Sequence, residues 1–295
     1  MLENFVFEKI ELKDLPIINS FVSNFDPYSD FNPISLICWN SNKNNMYSIK
    51  DDALVIKIGD YLNDQIVHSV LGRGIKKDAL LKLLSLPEEV KMVPEISLQD
   101  IDENFVIVED RDSFDYVIDL HSFKELKGKS YKALRKRVKA FEKKNKEIKI
   151  NILDIKDGNI QKQIWDLTTK WSENKGFSSE KSREEVDGVE QYLKASDYFS
   201  CINIGLYISE KLVGYSFSQM LNNNWAMGHF GKADIDHEDS SLYLEYKADK
   251  LLYDAGARYL NLQQDTGLVG LRQTKMSYRP LKFLKKYTFL KTGII

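Results

Sequence analysis

The sequence predicts an α+β protein in which one pattern of strands and helices occurs twice. In the first half, strand-like runs separated by Asn, Asp and Gly turns lead into a helical segment over 76–86 and then into another strand. In the second half, a three-strand meander over 201–233 leads into a helix and a strand over 258–264. Each half therefore predicts a mostly antiparallel mixed sheet flanked by helices, with no residue-level repeat between the halves.

The elements of the first half follow from hydrophobic period and turn residues. Lys13–Val22 has the period of a short helix, and the segment 76–86 is helical up to Pro87, which ends it. A hairpin is predicted within 105–120, turning at Asp110–Asp112. The other predicted strands lie at 34–40, 46–50, 53–59, 66–73 and 91–97.

The second half begins with a predicted strand over 148–155 and two amphipathic helices over 160–175 and 182–196. A long helix closes near Gly256, and a last strand is predicted over 281–291. We therefore expect three consecutive parts: a first domain over 1–120, a basic linker helix over 121–150, and a second domain over 151–295 that carries the site.

Composition narrows the class of protein. With 43% hydrophobic and 29% charged residues and a net charge of −2, the chain has the composition of a globular protein with no overall bias toward nucleic acid. Cys38 and Cys201 have no metal-like spacing and are expected to be reduced thiols. No apolar run reaches the roughly 20 residues of a spanning helix, so we expect a cytoplasmic protein.

Common catalytic motifs are absent from the sequence. It contains no nucleotide-binding P-loop, no His-Glu-x-x-His zinc motif and no Gly-x-Ser-x-Gly nucleophile motif. We therefore expect neither a metal nor a bound cofactor. Zinc-dependent catalysis, ATP hydrolysis and serine-hydrolase catalysis are not favoured by the sequence.

The sharpest charge feature is a basic segment over 127–147. It holds ten Lys or Arg against two Glu, while Tyr131, Leu134, Val138 and Phe141 recur at helical spacing. One interpretation is a solvated helix paired with the acidic stretch 100–119, and the other is a surface that contacts phosphates. The candidate tRNA- or phosphate-binding residues are Lys127, Lys132, Arg135, Lys136, Arg137 and Lys139.

A second cluster follows the strand at 258–264. Asp265 lies at the strand end, and Arg272 and Lys275 share a helix face three residues apart, so both cations could neutralise an anion. Asp265 could hold Arg272 in place or receive a substrate amine, and a purely structural ion pair is the alternative. Upstream, His229 and Glu245 are candidate general bases, although a core histidine is the plainer interpretation of His229.

This region resembles the phosphatidylglycerol lysyltransferase C-terminal domain family. The resemblance rests on the Lys232-Ala233-Asp234 strand end and on an Asn-x-x-x-Asp-x-Gly-x-x-Gly-Leu-Arg-x-x-Lys-x-Ser-Tyr-x-Pro run over 261–280. The basic segment is similar to the family's linker helix. The family commonly has Arg-Glu after the Asn, where this chain has Leu262 and Gln263.

The resemblance implies two tandem GNAT-like acyltransferase folds and transfer of an aminoacyl group from aminoacyl-tRNA to a hydroxyl or amine acceptor. For this reaction we expect catalytic roles for Asp265, Arg272 and Lys275, assisted by His229 or Glu245. The expected substrate-binding residues are Lys232, Asp234, Asn261, Gln263 and Tyr278. The acceptor is a small molecule, a peptide or a lipid head group, with peripheral membrane contact compatible with the last.

Two other functions stay open at this stage. An acyl-CoA-dependent N-acetyltransferase would need a pyrophosphate-binding loop at a helix N-terminus, for which Leu71–Ala79 is the nearest segment. A non-catalytic module of the same fold that binds tRNA or another ligand is the third interpretation, and Gln263 favours it.

Overall fold

The computed structural model describes residues 5–40, 44–50, 52–61, 63, 65–73, 75–99, 101, 105–175 and 179–291, with the backbone alone for 175 and 179–182. The strands are β1 (Glu8–Lys9), β2 (Met46–Lys50), β3 (Ala53–Gly59), β4 (Ile66–Gly72), β5 (Glu89–Pro94), β6 (Val106–Glu109), β7 (Asp115–Asp119), β8 (Ile148–Ile152), β9 (Cys201–Ile208), β10 (Lys211–Met220), β11 (Trp225–Ala233), β12 (Tyr259–Asn261), β13 (Lys282–Leu284) and β14 (Lys286–Leu290). The α-helices are α1 (Leu15–Val22), α2 (Pro33–Cys38), α3 (Lys77–Leu84), α4 (Leu120–Phe123), α5 (Lys132–Lys144), α6 (Gly158–Lys175), α7 (Ser179–Lys194), α8 (Ser240–Asp254) and α9 (Val269–Ser277).

The chain packs into two compact units that interleave along the sequence. Unit 1 comprises Met1–Tyr116, Gln263–Ser277 and Lys282–Ile295, and unit 2 comprises Val117–Leu262 and Tyr278–Leu281. The units differ from the consecutive parts 1–120, 121–150 and 151–295 because the C-terminal strand β14 returns to the first sheet. The three consecutive parts stay a proposal for the domain boundaries.

Unit 1 is built on a sheet with the strand order β1-β2-β3-β4-β5-β14-β6. Its neighbours pair antiparallel except β4 with β5, which run parallel because α3 crosses between them. The parallel pairing covers Val67 and His68 of β4. Leu80 and Leu83 of α3 pack with Val90 and Phe289 in the core on this sheet.

Unit 2 repeats the same connection. Its sheet contains the strands in the order β7-β12-β11-β10-β9-β8. The meander β9-β10-β11 is antiparallel, and α8 leads from β11 to the parallel strand β12. That parallel pairing ends at Met227 opposite Asn261, whereas β11 continues to Ala233. The predicted fold class, two mixed sheets flanked by helices, is confirmed.

Three predicted elements of the sequence are wrong. The run 34–40 is not a strand but lies largely in α2, which starts there because Pro33 occupies the first turn and the Asn32 side chain accepts the Ile34 N–H at 2.8 Å. Residues 105–120 form no hairpin, because β6 joins the first sheet and β7 the second. The single last strand over 281–291 is divided into β13 and β14, again in different sheets.

Candidate functional site

The loop between β12 and α9 turns sharply and presents Asp265 to the helix that follows. Gln263, Thr266 and Gly267 all have positive φ, and Gly267 donates its N–H to Asp265 Oδ1 at 2.9 Å. A Cβ on Gly267 would lie 2.9 Å from Asp112 Oδ2, so both the backbone conformation and the space require glycine there. The loop therefore folds the carboxylate of Asp265 back onto α9.

Asp265 is fully buried and accepts a bidentate pair from Arg272. Arg272 Nε lies 2.9 Å from Oδ2 and Nη2 lies 2.8 Å from Oδ1, while the Tyr116 hydroxyl donates to Oδ2 at 2.5 Å. Burial acts to raise the pKa of Asp265, but the hydrogen bonds from Arg272 and Tyr116 outweigh it and lower that pKa below its ordinary value. The carboxylate is an anchored anion and a weak base.

A second guanidinium, that of Arg111, shares the same carboxylate. Arg111 Nη1 lies 3.3 Å from Asp265 Oδ2 and Nη2 lies 3.0 Å from the Tyr116 hydroxyl. Its guanidinium carbon stands 4.9 Å from the centre of the Phe283 ring, a cation–π contact. Arg272 also binds Asp112 Oδ1 at 2.6 Å, and the side chains of both arginines remain 35% exposed. Two accessible cations thus surround one buried anion, all within unit 1.

Lys275 belongs to the same loop but makes a different contact. Its ammonium donates to the backbone carbonyl of Gln264 at 2.5 Å and stands 5.9 Å from the centre of the Tyr116 ring. The structure therefore brings the predicted residues Asp265, Arg272 and Lys275 together.

Three residues of this cluster were not among the predicted site residues: Arg111, Asp112 and Tyr116. Tyr116 and Asp265 are 149 residues apart in the chain. The stretch 100–119 stood out in the sequence only for its acidic charge. The signal available was an arginine flanked by two aspartates next to an aromatic run.

Three other predicted substrate-binding residues near this loop make structural contacts: two lie in backbone pairings and one packs in the core. Asn261 is fully buried in β12, opposite Met227 on one side and Val117 on the other. The Gln263 carbonyl accepts the Tyr116 N–H at 3.2 Å. Tyr278 lies in the core of unit 2, with its ring centre 5.4 Å from that of Phe123. Substrate contact by these three stays a prediction.

His229 of unit 2 is a buried, neutral histidine. It is the extra residue of a β-bulge, since Gly228 opposes Ser218 and Phe230 opposes Phe217. Within the described part of the chain neither ring nitrogen has a hydrogen-bond partner, and burial lowers the pKa of His229 to about 3. Such an imidazole is a poor general base near neutral pH, which favours the interpretation as a core histidine.

Lys232 and Asp234 end the same strand and have charged partners in unit 2. The Lys232 ammonium lies 2.5 Å from a Glu185 carboxylate oxygen and 4.1 Å from the centre of a Trp171 ring. Asp234 is buried, and Lys170 donates to its two oxygens at 2.8 and 2.7 Å. Both are engaged in ion pairs, and a role in binding substrate would require a ligand to compete with these partners.

Glu245 lies on α8 one turn before the buried Asp249. Burial, together with the charge of Glu245, raises the pKa of Asp249 well above its ordinary value. The role of Glu245 as a general base stays a prediction.

The basic helix α5 packs one face into the core of unit 2, and two of its arginines bind groups of the same chain. Leu134, Val138 and Phe141 are buried in the core of unit 2. Arg135 donates to the carbonyls of Leu126 and Gly128, and Arg137 binds Asp239 through Nε at 2.9 Å. The predicted residue Lys127, which precedes the helix, pairs with Glu125.

Four exposed lysines form one row on the opposite face of α5. Lys132, Lys136, Lys139 and Lys143 are all exposed and recur at intervals of four and three residues, which places them on one face. At about 1.5 Å of rise per residue the row is about 16 Å long. We call these four residues the lysine row.

The described residues hold no group of three or more His, Cys, Asp or Glu side chains that could bind a metal ion. No described helix is long and apolar enough to cross a membrane.

The structure defines an α+β protein built on two mixed sheets flanked by helices, with a buried carboxylate that orients an arginine. The chain belongs to the family "phosphatidylglycerol lysyltransferase, C-terminal", whose model matches residues 28–290. Membership supports an acyltransferase, as expected from the resemblance. No curated protein matches the sequence.

Solved structures share the fold. A conserved protein of unknown function from Bacteroides thetaiotaomicron VPI-5482 matches with a TM-score of 0.85 at 23% identity, over 97% of this chain and 99% of that one. The C-terminal domain of a putative lysylphosphatidylglycerol synthetase from Agrobacterium fabrum matches with a TM-score of 0.65 at 13% identity, over 95% and 92%. L-PGS from Bacillus licheniformis matches with a TM-score of 0.64 at 12% identity, over 98% and 94%.

Proposed function

We propose that the protein transfers an aminoacyl group from aminoacyl-tRNA to a hydroxyl or amine acceptor. The observation that carries the proposal is the Asp265–Arg272 pair, in which a buried carboxylate fixes a guanidinium that remains 35% exposed. Such a cation is oriented before any substrate binds, which is the condition for stabilising charge that develops in a transition state. Membership of the family supports acyl transfer as the reaction class.

In the proposed reaction the acceptor oxygen or nitrogen attacks the ester carbonyl of the donor. A bond forms between the acceptor and the carbonyl carbon, the ester bond to the tRNA ribose breaks, and the acceptor's proton passes to the leaving ribose oxygen. The carbonyl oxygen carries negative charge in the tetrahedral intermediate. Arg272, with Arg111 beside it, supplies donors for this oxyanion or for a donor phosphate.

Asp265 orients Arg272 in this scheme and does not receive the acceptor. Its oxygens already accept from Arg272, Tyr116 and the Gly267 N–H, and its lowered pKa makes it a weak base. Lys275 holds the Gln264 carbonyl and so fixes the loop. Proximity of the bound reactants supplies much of the rate enhancement in such a direct transfer.

The lysine row is the proposed contact for the tRNA backbone. Its four ammonium groups are exposed, whereas Arg135 and Arg137 are engaged within the chain. Phosphate contacts by lysine give sequence-independent binding that weakens steeply with salt. We therefore narrow the proposed contact from the whole basic segment to Lys132, Lys136, Lys139 and Lys143.

Filter binding of charged tRNA across a salt series tests this contact. Replacing the four lysines of the row by Gln should lower the affinity and reduce the slope of log K against log salt by roughly 3, at about 0.7 to 0.9 for each phosphate that is no longer neutralised. A control variant replaces four other exposed lysines, Lys9, Lys77, Lys162 and Lys250, by Gln and should keep the slope. Equal reductions of the slope in both variants would contradict a specific contact.

The acyl-CoA alternative receives less support from the charges of unit 2. The segment 234–239, which leads from β11 into α8, holds four acids, each paired with a lysine or arginine from elsewhere in the chain. It contains no Gly, Lys or Arg, the residue types expected of a pyrophosphate-binding loop. In Leu71–Ala79, a Cβ on Gly72 would lie 2.7 Å from the Asp52 carbonyl oxygen, which explains that glycine by packing. Gly74 of the same segment lies outside the described residues.

The acceptor and the location belong to the proposal as well. We propose a cytoplasmic protein, because its donor would be tRNA, and an acceptor that is a small molecule, a peptide or a lipid head group. A panel of acceptors of each kind, offered with the same charged tRNA, distinguishes these three.

A further inference from the structure

A second charged cluster lies behind the Asp265 loop, wholly inside unit 1. The ammonium of Lys286 is fully buried and lies 2.8 Å from Asp115 Oδ1, 3.0 Å from Gln264 Oε1 and 3.3 Å from Ser29 Oγ, and it pairs with Asp30. Ser29 in turn donates its N–H and its hydroxyl to the two oxygens of Asp115, each at 2.7 Å. One lysine thus joins three distant parts of the chain.

Burying such a cluster is costly, so stability alone gives a weak reason for it. Two carboxylates and one ammonium are removed from water, and ions of this kind often stabilise a fold no better than apolar side chains of equal size. What they supply is geometry, because each hydrogen bond has a fixed direction and length.

Gln264 connects the Lys286 cluster to the Asp265 loop. The side chain of Gln264 binds Lys286, its carbonyl accepts the Lys275 ammonium, and the next residue is Asp265. Gln264 is buried and is therefore held at both ends, by Lys286 beneath and by Lys275 on α9. A shift of Gln264 would displace the carboxylate that orients Arg272.

We propose that Lys286 is a positioning residue: by holding Gln264, and with it the peptide that joins Gln264 to Asp265, it sets the orientation of Arg272. The catalytic consequence rests on the proposed function, whereas the structural consequence does not. Asp30 and Asp115 belong to the same device, because they hold the ammonium of Lys286 in place.

The Nε–H signal of Arg272 in a nitrogen–proton NMR spectrum reports this orientation directly. In the wild-type protein Arg272 Nε donates to Asp265 Oδ2 at 2.9 Å, and Arg137 Nε donates to Asp239 Oδ1 of unit 2 at the same distance. The two signals are assigned with Arg272→Lys and Arg137→Lys. Lys286→Met and Gln264→Leu should both move the Arg272 signal toward that of a free arginine and leave the Arg137 signal in place.

Lys91→Met is the matched control. Lys91 is another lysine of unit 1 that binds a buried aspartate, Asp60, at 2.7 Å. Its loss should lower stability without moving the Arg272 signal. Where Lys286→Met does not fold, Gln264→Leu decides, since it leaves the ion pairs of Lys286 intact.

Turnover provides the second readout. Lys286→Met and Gln264→Leu should lower kcat by roughly tenfold to a hundredfold, as expected for a misplaced group, while Lys91→Met keeps it. An unmoved Arg272 signal in Gln264→Leu, or an equal shift in Lys91→Met, would overturn the proposal. If the wild-type protein transfers no aminoacyl group, the proposed function fails while the NMR comparison still decides the role of Lys286.

Discussion

Both carboxylate oxygens of Asp265 accept hydrogen bonds from Arg272, at 2.8 and 2.9 Å, although the two residues are seven positions apart and separated by a sharp turn. The turn and α9 exist in this form because Gly267 adopts a φ of +72° and leaves room for Asp112. A fully buried carboxylate therefore holds a partly exposed guanidinium in one orientation.

Arg272→Lys should lower turnover by roughly a hundredfold to a thousandfold, the loss expected when one preorganised donor to an oxyanion is removed. Lysine keeps the charge but cannot reproduce the bidentate geometry with Asp265. Arg137→Lys, which alters a similar pair with Asp239 in unit 2, should keep kcat. Steady-state kinetics and thermal unfolding of both variants check this, and loss of folding together with activity in Arg272→Lys would favour a structural ion pair.

Asp265→Asn should destabilise the protein most above acidic pH. The pKa of Asp265 is lowered in the folded state, so its contribution to stability is present above its ordinary pKa of 3.8 and is lost as the pH falls through the folded value. The difference in free energy of unfolding between the wild type and the variant should therefore shrink below about pH 4. Urea unfolding from pH 3 to pH 7 measures it, and a difference that grows on acidification would contradict the prediction.

Wild-type stability should also fall below the ordinary pKa of histidine because of His229. Its folded-state pKa of about 3 means that the unfolded chain binds a proton there between pH 6.5 and 3 while the folded chain does not. As the pH falls through that window, His229 alone lowers the free energy of unfolding by up to about 1.4 kcal/mol per pH unit. His229→Gln should remove this contribution to the slope of the free energy of unfolding against pH. Unfolding curves of both proteins between pH 6.5 and 3 measure the difference.

The buried acid Asp30 acts in the opposite direction. Burial outweighs the Lys286 charge and raises the pKa of Asp30 to about 6, so the folded state holds a proton that the unfolded state releases near pH 4. Stability contributed by this group falls as the pH rises from about 4 to about 6. Asp30→Asn should reduce the change in the free energy of unfolding between about pH 4 and pH 6. The same change in the variant as in the wild type would contradict the raised pKa of Asp30.

Gly267→Ala should cost about 1–2 kcal/mol of stability for the positive φ alone and should also lower turnover. The added methyl group would press on Asp112, which binds Arg272. Gly256→Ala is the control, since Gly256 also has a positive φ but has no atom within 4 Å of the added Cβ. It should lose stability without losing turnover, as thermal unfolding and a rate assay on both variants would show.

Local sequence signals were sufficient for much of the fold and for part of the site. The meander, α8 and the Asp265–Arg272–Lys275 cluster depend on period, turn residues and short spacing, all of which a sequence displays. The contacts of Arg111 and Tyr116 with Asp265 could not be predicted this way, because they join segments about 150 residues apart, and the local signal was only an arginine between two aspartates.

The wrong elements have two physical causes: a local helix start in one case and pairing between distant strands in the others. The apolar run at 34–40 has the composition of a strand, but the Asn32 cap and Pro33 start a helix. The run 281–291 looks continuous, yet Lys286 must enter the first sheet between β5 and β6 to reach Asp115 and Gln264.

The most direct test of the central claim is discharge of a labelled aminoacyl-tRNA in a single turnover with a panel of hydroxyl and amine acceptors. The account predicts that the wild-type protein moves the label to an acceptor, that Arg272→Lys slows this step by roughly a hundredfold or more, and that Arg137→Lys does not. Discharge no faster than in buffer with every acceptor, together with stabilisation of the protein by acetyl-CoA, would contradict it.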